Sequence, residues 1–218
     1  MPNLAIFASG SGSNAENLIR YFQNKPLIRV SCICSNRTDA YVIERARKYE
    51  IPVMVFSRTD LYHTDNVLAY LVNNKIDWII LAGFLWLVPS NLIDRFPKRI
   101  INIHPALLPR FGGKGMYGQF VHQAVIDQKE STSGITIHYV DHEYDHGNII
   151  FQATCRVESD DTAESLAARV HELEYEFFPK IIEAEILKGT REKGRGTRDK
   201  GRGTRDEGQG TRDKQEMK

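Results

Sequence analysis

The chain has 218 residues, of which 41% are hydrophobic and 26% are charged, and its formal net charge is +1. This length fits one domain with at most a small appendage, and the apolar fraction is sufficient for a sizeable core, which excludes a fibrous or fully disordered protein. The longest apolar stretch, Trp78 to Pro89, is far shorter than the roughly 20 residues of a membrane-spanning helix. We therefore expect a cytoplasmic protein without membrane contacts.

The charge is divided unevenly along the chain. Residues 189–218 contain ten of the 29 basic and six of the 28 acidic residues, which leaves net charges of +4 for this segment and −3 for residues 1–188. An acidic body argues against a large nucleic-acid interface, for which a clustered basic face is expected. The last segment repeats a seven-residue unit that begins with Gly and has no apolar a and d positions. We predict a catalytic domain at 1–188 and a disordered low-complexity heptapeptide-repeat tail at 189–218.

Short apolar runs alternate with amphipathic stretches through the first 188 residues. Strands that are apolar on both faces and alternate with helices indicate a mostly parallel sheet with helices on both sides, a doubly wound, Rossmann-like α/β fold. A longer strand pair and a final helix, introduced by Asp161 with Glu164 three residues later, extend this fold. The predicted strands are Leu4–Ala8, Ile28–Cys34, Val53–Phe56, Trp78–Leu81, Ile100–His104, Ser133–Val140 and Ile149–Glu158, and the predicted helices are Ala15–Phe22, Ala40–Tyr49, His63–Asn73 and Thr162–Leu187.

A glycine-rich loop, Ser9 to Asn14, joins the first strand to the first helix. Glycines permit a tight turn, and the free N–H groups of a helix N-terminus attract an anion, so Gly12, Ser13 and Asn14 are suited to a phosphate. With Ala15 the loop also matches the dinucleotide pattern G-x-G-x-x-A. The second strand lacks the terminal acidic residue that this pattern requires for the ribose, so a monophosphate fits better than NAD. A purely structural turn is the alternative.

The fifth strand carries Asn102 and His104 and is stopped by Pro105. Strand alternation places both side chains on the same face, at the sheet edge where doubly wound folds bind ligands. An amide can donate a hydrogen bond to a developing oxyanion, and an imidazole can exchange a proton near neutral pH. A catalytic pair is therefore predicted here, and a structural histidine at a strand end is the alternative.

The polar segment Asp141–Asn148 joins the last two strands and has the composition of a solvated turn. Asp145 lies at the entrance of the following strand, where its carboxylate could reach His104, fix the tautomer of the imidazole and raise its pKa. His138 is a candidate supporting residue, although a structural role is the simpler explanation. No spacing of His, Cys or acidic residues predicts a metal site, and no chemistry is assigned to the other histidines, which are His63, His122, His142 and His171.

Five motifs together resemble one known family. The segment from Asn102 to Pro109 reads NIHPALLP and resembles the signature of the folate-dependent formyltransferases and hydrolases. The resemblance covers residues 4 to about 187 and is greatest to the members that formylate phosphoribosylglycinamide. The other shared motifs are GSGSN at 10–14, LAGF at 81–84, GITIH at 134–138 and the segment around Asp145.

The resemblance implies transfer of a formyl group from 10-formyltetrahydrofolate, the co-substrate, to the amine of 5-phosphoribosylglycinamide in de novo purine biosynthesis, without a metal. Three departures bear on folate contacts: Trp86 stands where relatives often have Arg, the Phe111–Phe120 loop is longer, and His146 follows Asp145. The implied roles are catalysis for Asn102, His104 and Asp145, phosphate binding for Gly12, Ser13 and Asn14, ribose binding for Glu174, and folate binding for Leu85, Trp86, Leu87, Val88, Asn102, Asp141 and Tyr144.

Three other functions remain open at this point. A methionyl-tRNA formyltransferase shares the chemistry but needs a basic tRNA-binding domain, and a formyltetrahydrofolate hydrolase uses water and usually carries an additional regulatory domain. A catalytically silent nucleotide-binding module would not need Asn102, His104 and Asp145, so the presence of all three argues against it. We expect small-molecule substrates, neither nucleic acid nor membrane as partners, and a monomer or homodimer.

Overall fold

The fold is described from a computed structural model, which describes residues 1–199. Residues 200–218 lie outside the described residues, and with them most of the segment predicted to be a disordered repeat tail. Met1–Glu183 form one compact unit, and a second unit begins at Ala184. Within residues 1–199, none of the helices combines the length and apolar character needed to cross a membrane.

Strands and helices alternate as the sequence predicts, and every predicted strand is present within two residues of its expected bounds. Three short helices, at Arg58–Tyr62, Ser90–Arg95 and Gln119–Asp127, were not predicted. The strands are β1 (Asn3–Phe7), β2 (Arg29–Ser35), β3 (Val53–Val55), β4 (Trp78–Leu81), β5 (Ile100–His104), β6 (Thr132–Tyr139) and β7 (Ile149–Arg156). The helices are α1 (Ser13–Gln23), α2 (Val42–Lys48), α3 (Arg58–Tyr62), α4 (Asn66–Asn73), α5 (Ser90–Arg95), α6 (Gln119–Asp127) and α7 (Ala163–Asp199).

The strands form one sheet in the order β3-β2-β1-β4-β5-β6-β7. The first five strands are parallel, whereas β6 pairs antiparallel with both β5 and β7. The strand order reverses between β1 and β4, and in doubly wound folds the crevice beyond the carboxyl ends of such strands is the usual ligand site. The predicted fold class is therefore confirmed, including the antiparallel strand pair and the long final helix.

The core explains why the central strands are apolar on both faces. All four residues of β4 are buried, because helices cover both sides of the sheet. Phe7, at the end of β1, packs against Phe56 and Phe84 with ring centroids 5.7 and 5.3 Å away. This aromatic group anchors the segment that follows β4, directly beside the crevice.

The start of α7 differs by one residue from the prediction. Thr162 is the capping residue, since its Oγ1 accepts from Ser165 N at 3.2 Å and Ser165 Oγ accepts from Thr162 N at 2.9 Å. Asp161, predicted to cap the helix, instead forms an ion pair with Arg169 at 2.7 Å. The predicted Asp161–Glu164 capping box is therefore wrong, because a Thr–Ser pair one position later makes the same reciprocal bonds. At its other end α7 runs past Leu187 to Asp199.

Candidate active site

A cavity of about 760 Å³ lies at the carboxyl ends of β1, β4 and β5. This volume is in the range of about 300–1,000 Å³ that is usual for small-molecule sites. The glycine loop lies along one part of its wall, the segment after β4 along another, and α6 and α7 contribute further residues. The predicted site residues that line it are Gly12, Ser13, Asn14, Leu85, Trp86, Asn102, His104, Tyr144, Asp145 and Glu174.

The glycine loop has a conformation that requires glycine at one position. Gly12 precedes α1 with a φ of 72°, in the left-handed region that residues with a Cβ rarely adopt. A Cβ at this position would lie 2.4 Å from Val42 Cγ2, so even alanine would collide with α2. Ser13 and Asn14, which line the cavity, begin α1, and the N–H groups of a first helical turn have no partner within the helix, as expected for an anion site.

Asn102 and His138 are brought together by strand register. They are directly opposite each other in the β5–β6 pair, and Asn102 Nδ2 lies 3.0 Å from His138 Nε2. His138 Nδ1 lies 2.8 Å from Tyr139 O, and a carbonyl only accepts, so Nδ1 carries the proton and Nε2 accepts from Asn102. His138 thus orients the Asn102 amide with its nitrogen toward Asp145 Oδ1, at 3.3 Å.

Asp145 reaches His104 across the cavity, as the sequence predicts. Its Oδ2 lies 3.5 Å from His104 Nδ1 and accepts a hydrogen bond of 2.9 Å from Gly113 N. Asp145 has a φ of 53°, which Asp tolerates better than most residues. Burial raises the pKa of its carboxyl, but the charge of His104 and the hydrogen bond from Gly113 N lower that pKa below its ordinary value. Asp145 is therefore ionised at neutral pH.

The pKa of His104 differs from the sequence prediction. His104 is 3% exposed, and this burial lowers the pKa of its imidazole below the ordinary value, although the charge of Asp145 acts to raise it. Asp145 acts to raise the pKa of His104, as expected, but the cost of burying the cation lowers this pKa by more. His104 Nε2 lies 2.7 Å from Phe111 O, so this nitrogen carries a proton that it donates to the carbonyl.

The loop after β5 supplies one backbone group to His104 and one to Asp145, and neither was predicted from the sequence. Phe111 O accepts from His104, and Gly113 N donates to Asp145. A Cβ on Gly112 would lie 2.5 Å from Leu108 Cδ2 and 3.2 Å from Asp145 Cβ, so glycine permits the close approach. The only signal in the sequence was the glycine content of the loop, which does not identify backbone partners.

Glu174 lies at the other end of the cavity, 3% exposed, on α7. Its Oε2 accepts from Asn14 Nδ2 at 2.8 Å and from His171 Nδ1 at 2.6 Å. The hydrogen bond from His171 to this carboxylate raises the pKa of the imidazole, with burial opposing it. Asn14 thereby connects the N-terminus of α1 to Glu174, and its own Oδ1 is buried without a hydrogen-bond partner among the described residues.

His122 also lines the cavity, and no chemistry was predicted for it from the sequence. It projects from α6, is 2% exposed and lines the cavity. Burial, reinforced by the charge of His171, lowers its pKa to about 4, so the ring is neutral near pH 7. Its Nδ1 is buried and makes no hydrogen bond with any described residue.

The predicted folate residues divide into two groups. Leu85, Trp86 and Tyr144 line the cavity, together with Arg58 and Tyr62, which sequence reasoning missed because they come from the unpredicted helix α3. The Arg58 guanidinium lies 5.4 Å from the ring centroids of both Tyr62 and Trp86. The other predicted residues are not part of the wall: Val88 is in the core, Leu87 O accepts from Tyr62, and Asp141 pairs with His146 at 2.8 Å.

The comparison with protein families identifies the chain. Residues 2–182 match the family model described as "Formyl transferase". The chain belongs to the formyl transferase family. The family match covers every residue of the cavity described above and stops short of the repeat segment.

Two relatives are similar to this chain in sequence, and a solved structure is similar to it in fold. The Arabidopsis thaliana protein named "Phosphoribosylglycinamide formyltransferase, chloroplastic" is 41% identical over 187 residues, which cover 83% of this chain but only 64% of that protein. The Bacillus subtilis phosphoribosylglycinamide formyltransferase is 33% identical over 200 residues, and the match covers 89% of this chain and 98% of that protein. The crystal structure of the Anaplasma phagocytophilum phosphoribosylglycinamide formyltransferase has a TM-score of 0.76 at 34% identity and covers 83% of this chain and 84% of that one.

Proposed function

We propose that this chain transfers the formyl group of 10-formyltetrahydrofolate to the primary amine of 5-phosphoribosylglycinamide, as a step of de novo purine biosynthesis. The observation that carries the proposal is the convergence of Asn102, His104 and Asp145 on a cavity that also contains an anion-binding loop. The names of the Arabidopsis and Bacillus relatives support the same reaction.

The polar groups at the glycine-loop end are complementary to a phosphorylated ribose. Ser13 and Asn14 begin α1, and their backbone N–H groups suit the phosphate. Glu174 lines the cavity and its carboxylate is a hydrogen-bond acceptor, to which the ribose hydroxyls can donate. Gly12 keeps the loop close to α2, because a Cβ there would collide with Val42.

The part of the cavity wall that follows β4 fits an extended aromatic co-substrate. Leu85, Trp86 and Tyr144 offer apolar and aromatic surface, on which a folate ring system can pack. Arg58 adds a cation that is held by the two rings beside it, and the folate side chain carries carboxylates. Folate binding by Leu87, Val88 and Asp141 stays a prediction.

The reaction joins the amine nitrogen to the formyl carbon and breaks the bond from that carbon to N10 of the folate. The amine loses one proton, N10 gains one, and tetrahydrofolate leaves. Asn102 Nδ2 and His104 Nε2–H are the donors for the oxyanion that forms on the formyl oxygen, which must take the place of their present acceptors, Asp145 Oδ1 and Phe111 O. One such donor is typically worth about 2.7–4 kcal/mol, so much of the remaining acceleration must come from holding the two substrates together.

Asp145 has two roles in this mechanism. Its negative charge favours the imidazolium form of His104 and offsets part of the effect of burial. Its carboxylate also lies next to Asn102 and can accept the proton that leaves the attacking amine, directly or through a water molecule. No step of this scheme requires a metal ion, and the described residues contain no group of three or more His, Cys, Asp or Glu arranged to hold one.

The proposal extends to location and partners. We expect a cytoplasmic enzyme that acts on small molecules, as a monomer or homodimer, and that binds neither nucleic acid nor membrane. The Arabidopsis relative is named as chloroplastic, so location is not a common property of these proteins.

The reaction is tested by mixing the full chain with 10-formyltetrahydrofolate and one of three partners: phosphoribosylglycinamide, initiator methionyl-tRNA or no acceptor. We expect tetrahydrofolate release to depend on phosphoribosylglycinamide. Equal release without any acceptor would instead indicate a hydrolase, and release that requires the tRNA would indicate the other formyltransferase.

A further inference from the structure

The glycine loop is hydrogen-bonded to the neighbouring helix α2. Val42 N donates to Gly10 O at 3.1 Å, and Arg45 Nε donates to Ser11 O at 2.8 Å. Two successive carbonyl groups of the loop are therefore held toward α2. The first bond joins backbone atoms only, whereas the second comes from a side chain and so depends on the residue type at position 45.

The direction of the Ser11 carbonyl also sets the direction of the next N–H group. The Ser11–Gly12 peptide bond is trans, and in a planar trans peptide the N–H lies opposite the C=O. Because Ser11 O faces α2, Gly12 N–H faces away from it, and this N–H has no hydrogen-bond partner within residues 1–199. Gly12 lines the cavity, and no described residue of α2 does. An N–H that points away from α2 is therefore placed to meet a ligand in the cavity.

Arg45 is itself held in position. Its guanidinium forms an ion pair with Glu16, on α1, and the other carboxylate oxygen of Glu16 accepts from Tyr49 Oη at 2.9 Å. The carboxylate balances the charge of the guanidinium and restrains the side chain at the same time. What Arg45 supplies to the loop is therefore mainly one hydrogen bond of fixed direction.

We propose that Arg45 is a positioning residue for the phosphate of the acceptor: its hydrogen bond to Ser11 O turns Gly12 N–H toward the phosphate. Backbone N–H groups bind an anion when they converge on it, so the orientation of this peptide affects the affinity. The inference rests on the proposed function, which includes a phosphate at the glycine loop. It gives α2 a part in acceptor binding, although none of its described residues lines the cavity.

Three substitutions separate the hydrogen bond from the charge. In Arg45→Gln, Nε2 takes the place of the arginine Nε, which keeps an N–H donor there without the charge. Arg45→Met has a methyl group at the same place and donates nothing. Arg45→Lys keeps the charge but carries its donor one atom further along the side chain. Arg47→Met is the matched control, since Arg47 is an exposed arginine of the same helix that pairs with Glu44.

Steady-state rates give kcat and both KM values, and inhibition by ribose 5-phosphate reports on phosphate binding without the glycinamide group. We expect Arg45→Met and Arg45→Lys to raise KM for phosphoribosylglycinamide and Ki for ribose 5-phosphate roughly tenfold, the effect of one lost hydrogen bond. Their kcat and their KM for 10-formyltetrahydrofolate should stay within about twofold of the parent chain. Arg45→Gln should stay within about threefold in all four values, and Arg47→Met should match the parent chain.

An unchanged KM for phosphoribosylglycinamide in Arg45→Met would overturn the inference. An equal rise in Arg45→Gln would also overturn it, because the charge or the packing of the arginine would then be the cause. A comparable loss in kcat or in folate KM would do the same, since it would indicate a general structural role.

Stability does not confuse this comparison. Arg45→Met and Arg45→Gln both lose the ion pair with Glu16, so a fall in melting temperature from that loss is common to both. If Arg45→Met does not fold, the contrast between Arg45→Gln and Arg45→Lys decides the question. Failure of the proposed function has a different signature, because the parent chain would then not formylate phosphoribosylglycinamide at all.

Discussion

His104 Nδ1 lies 3.5 Å from Asp145 Oδ2, and the opposite ring nitrogen of His104 donates to Phe111 O at 2.7 Å. The imidazole is therefore held between a carboxylate and a backbone carbonyl, both of which are acceptors. Such an arrangement favours the doubly protonated ring, whereas burial disfavours it, and the lowered pKa of His104 reflects the balance.

Asp145→Asn is the substitution that isolates the charge. Asn is nearly isosteric with Asp and tolerates the left-handed conformation that this position requires, so the fold should be retained. Because the carboxylate acts to raise the pKa of His104, its removal should lower that pKa further and reduce the cationic fraction near neutral pH. We expect turnover to fall about 100-fold or more, with substrate binding largely unchanged.

Steady-state rates across a pH series measure this effect. The limb that reports deprotonation of His104 should move to lower pH in Asp145→Asn. Glu143→Gln, an exposed carboxylate in the same hairpin, is the control and should leave the profile in place. Near-normal turnover with an unmoved limb would remove Asp145 from the mechanism.

Ser13 tests whether the glycine loop binds a phosphate. Gly12 is unsuitable for this purpose, since any side chain there meets Val42. Ser13→Asp introduces a negative charge at the start of α1, where an acidic residue is favourable for the helix, so the melting temperature should not fall. Phosphoribosylglycinamide should bind at least about tenfold more weakly because of like-charge repulsion, while folate binding is unchanged. Ser13→Asn, the uncharged counterpart, should lose much less, and similar losses in both variants would mean that charge is not the cause.

Trp86 tests the folate end of the cavity. Its ring packs against Phe84 and Phe56 at centroid distances of 6.4 and 6.3 Å and faces the cavity. We expect Trp86→Ala to raise KM for 10-formyltetrahydrofolate about tenfold, because aromatic surface is lost, and to leave KM for the acceptor nearly constant. Tyr41→Ala removes an exposed ring that does not line the cavity and serves as the control. A change in the acceptor KM alone would contradict this orientation of the two substrates.

Ending the chain after Lys188 tests the predicted domain boundary. The cavity residues lie between Gly10 and Glu174, within the compact unit Met1–Glu183. We therefore expect kcat and both KM values within about twofold of the full chain, and a similar melting temperature, since surface changes rarely matter more. A large fall in kcat or in the melting temperature would assign a function to residues 189–218.

The sequence was sufficient for the sheet because its strands are short apolar runs with clear interruptions, and β4 and β5 have the predicted bounds. It was also sufficient for the side chains at strand ends: Asn102, His104 and Asp145 meet because register and topology bring them to one edge. The start of α7 was misplaced because Asp161 and Thr162 are both good caps, and only the tertiary contact of Asp161 with Arg169 decides between them.

Other features depend on contacts that a sequence does not display. The pKa of His104 depends on burial, which the motif does not reveal. Phe111 and Gly113 act through backbone atoms, so their residue types do not reveal these roles. His122 was passed over because α6 is short and was not predicted.

The central claim is that the formyl group is delivered to the acceptor amine. The most direct measurement is a single turnover with 10-formyltetrahydrofolate that carries ¹³C in the formyl carbon, with phosphoribosylglycinamide as acceptor, followed by NMR spectroscopy of the products. We expect the label as an N-formyl group on the former primary amine of phosphoribosylglycinamide. Recovery of the label as free formate, with the acceptor unchanged, would contradict it.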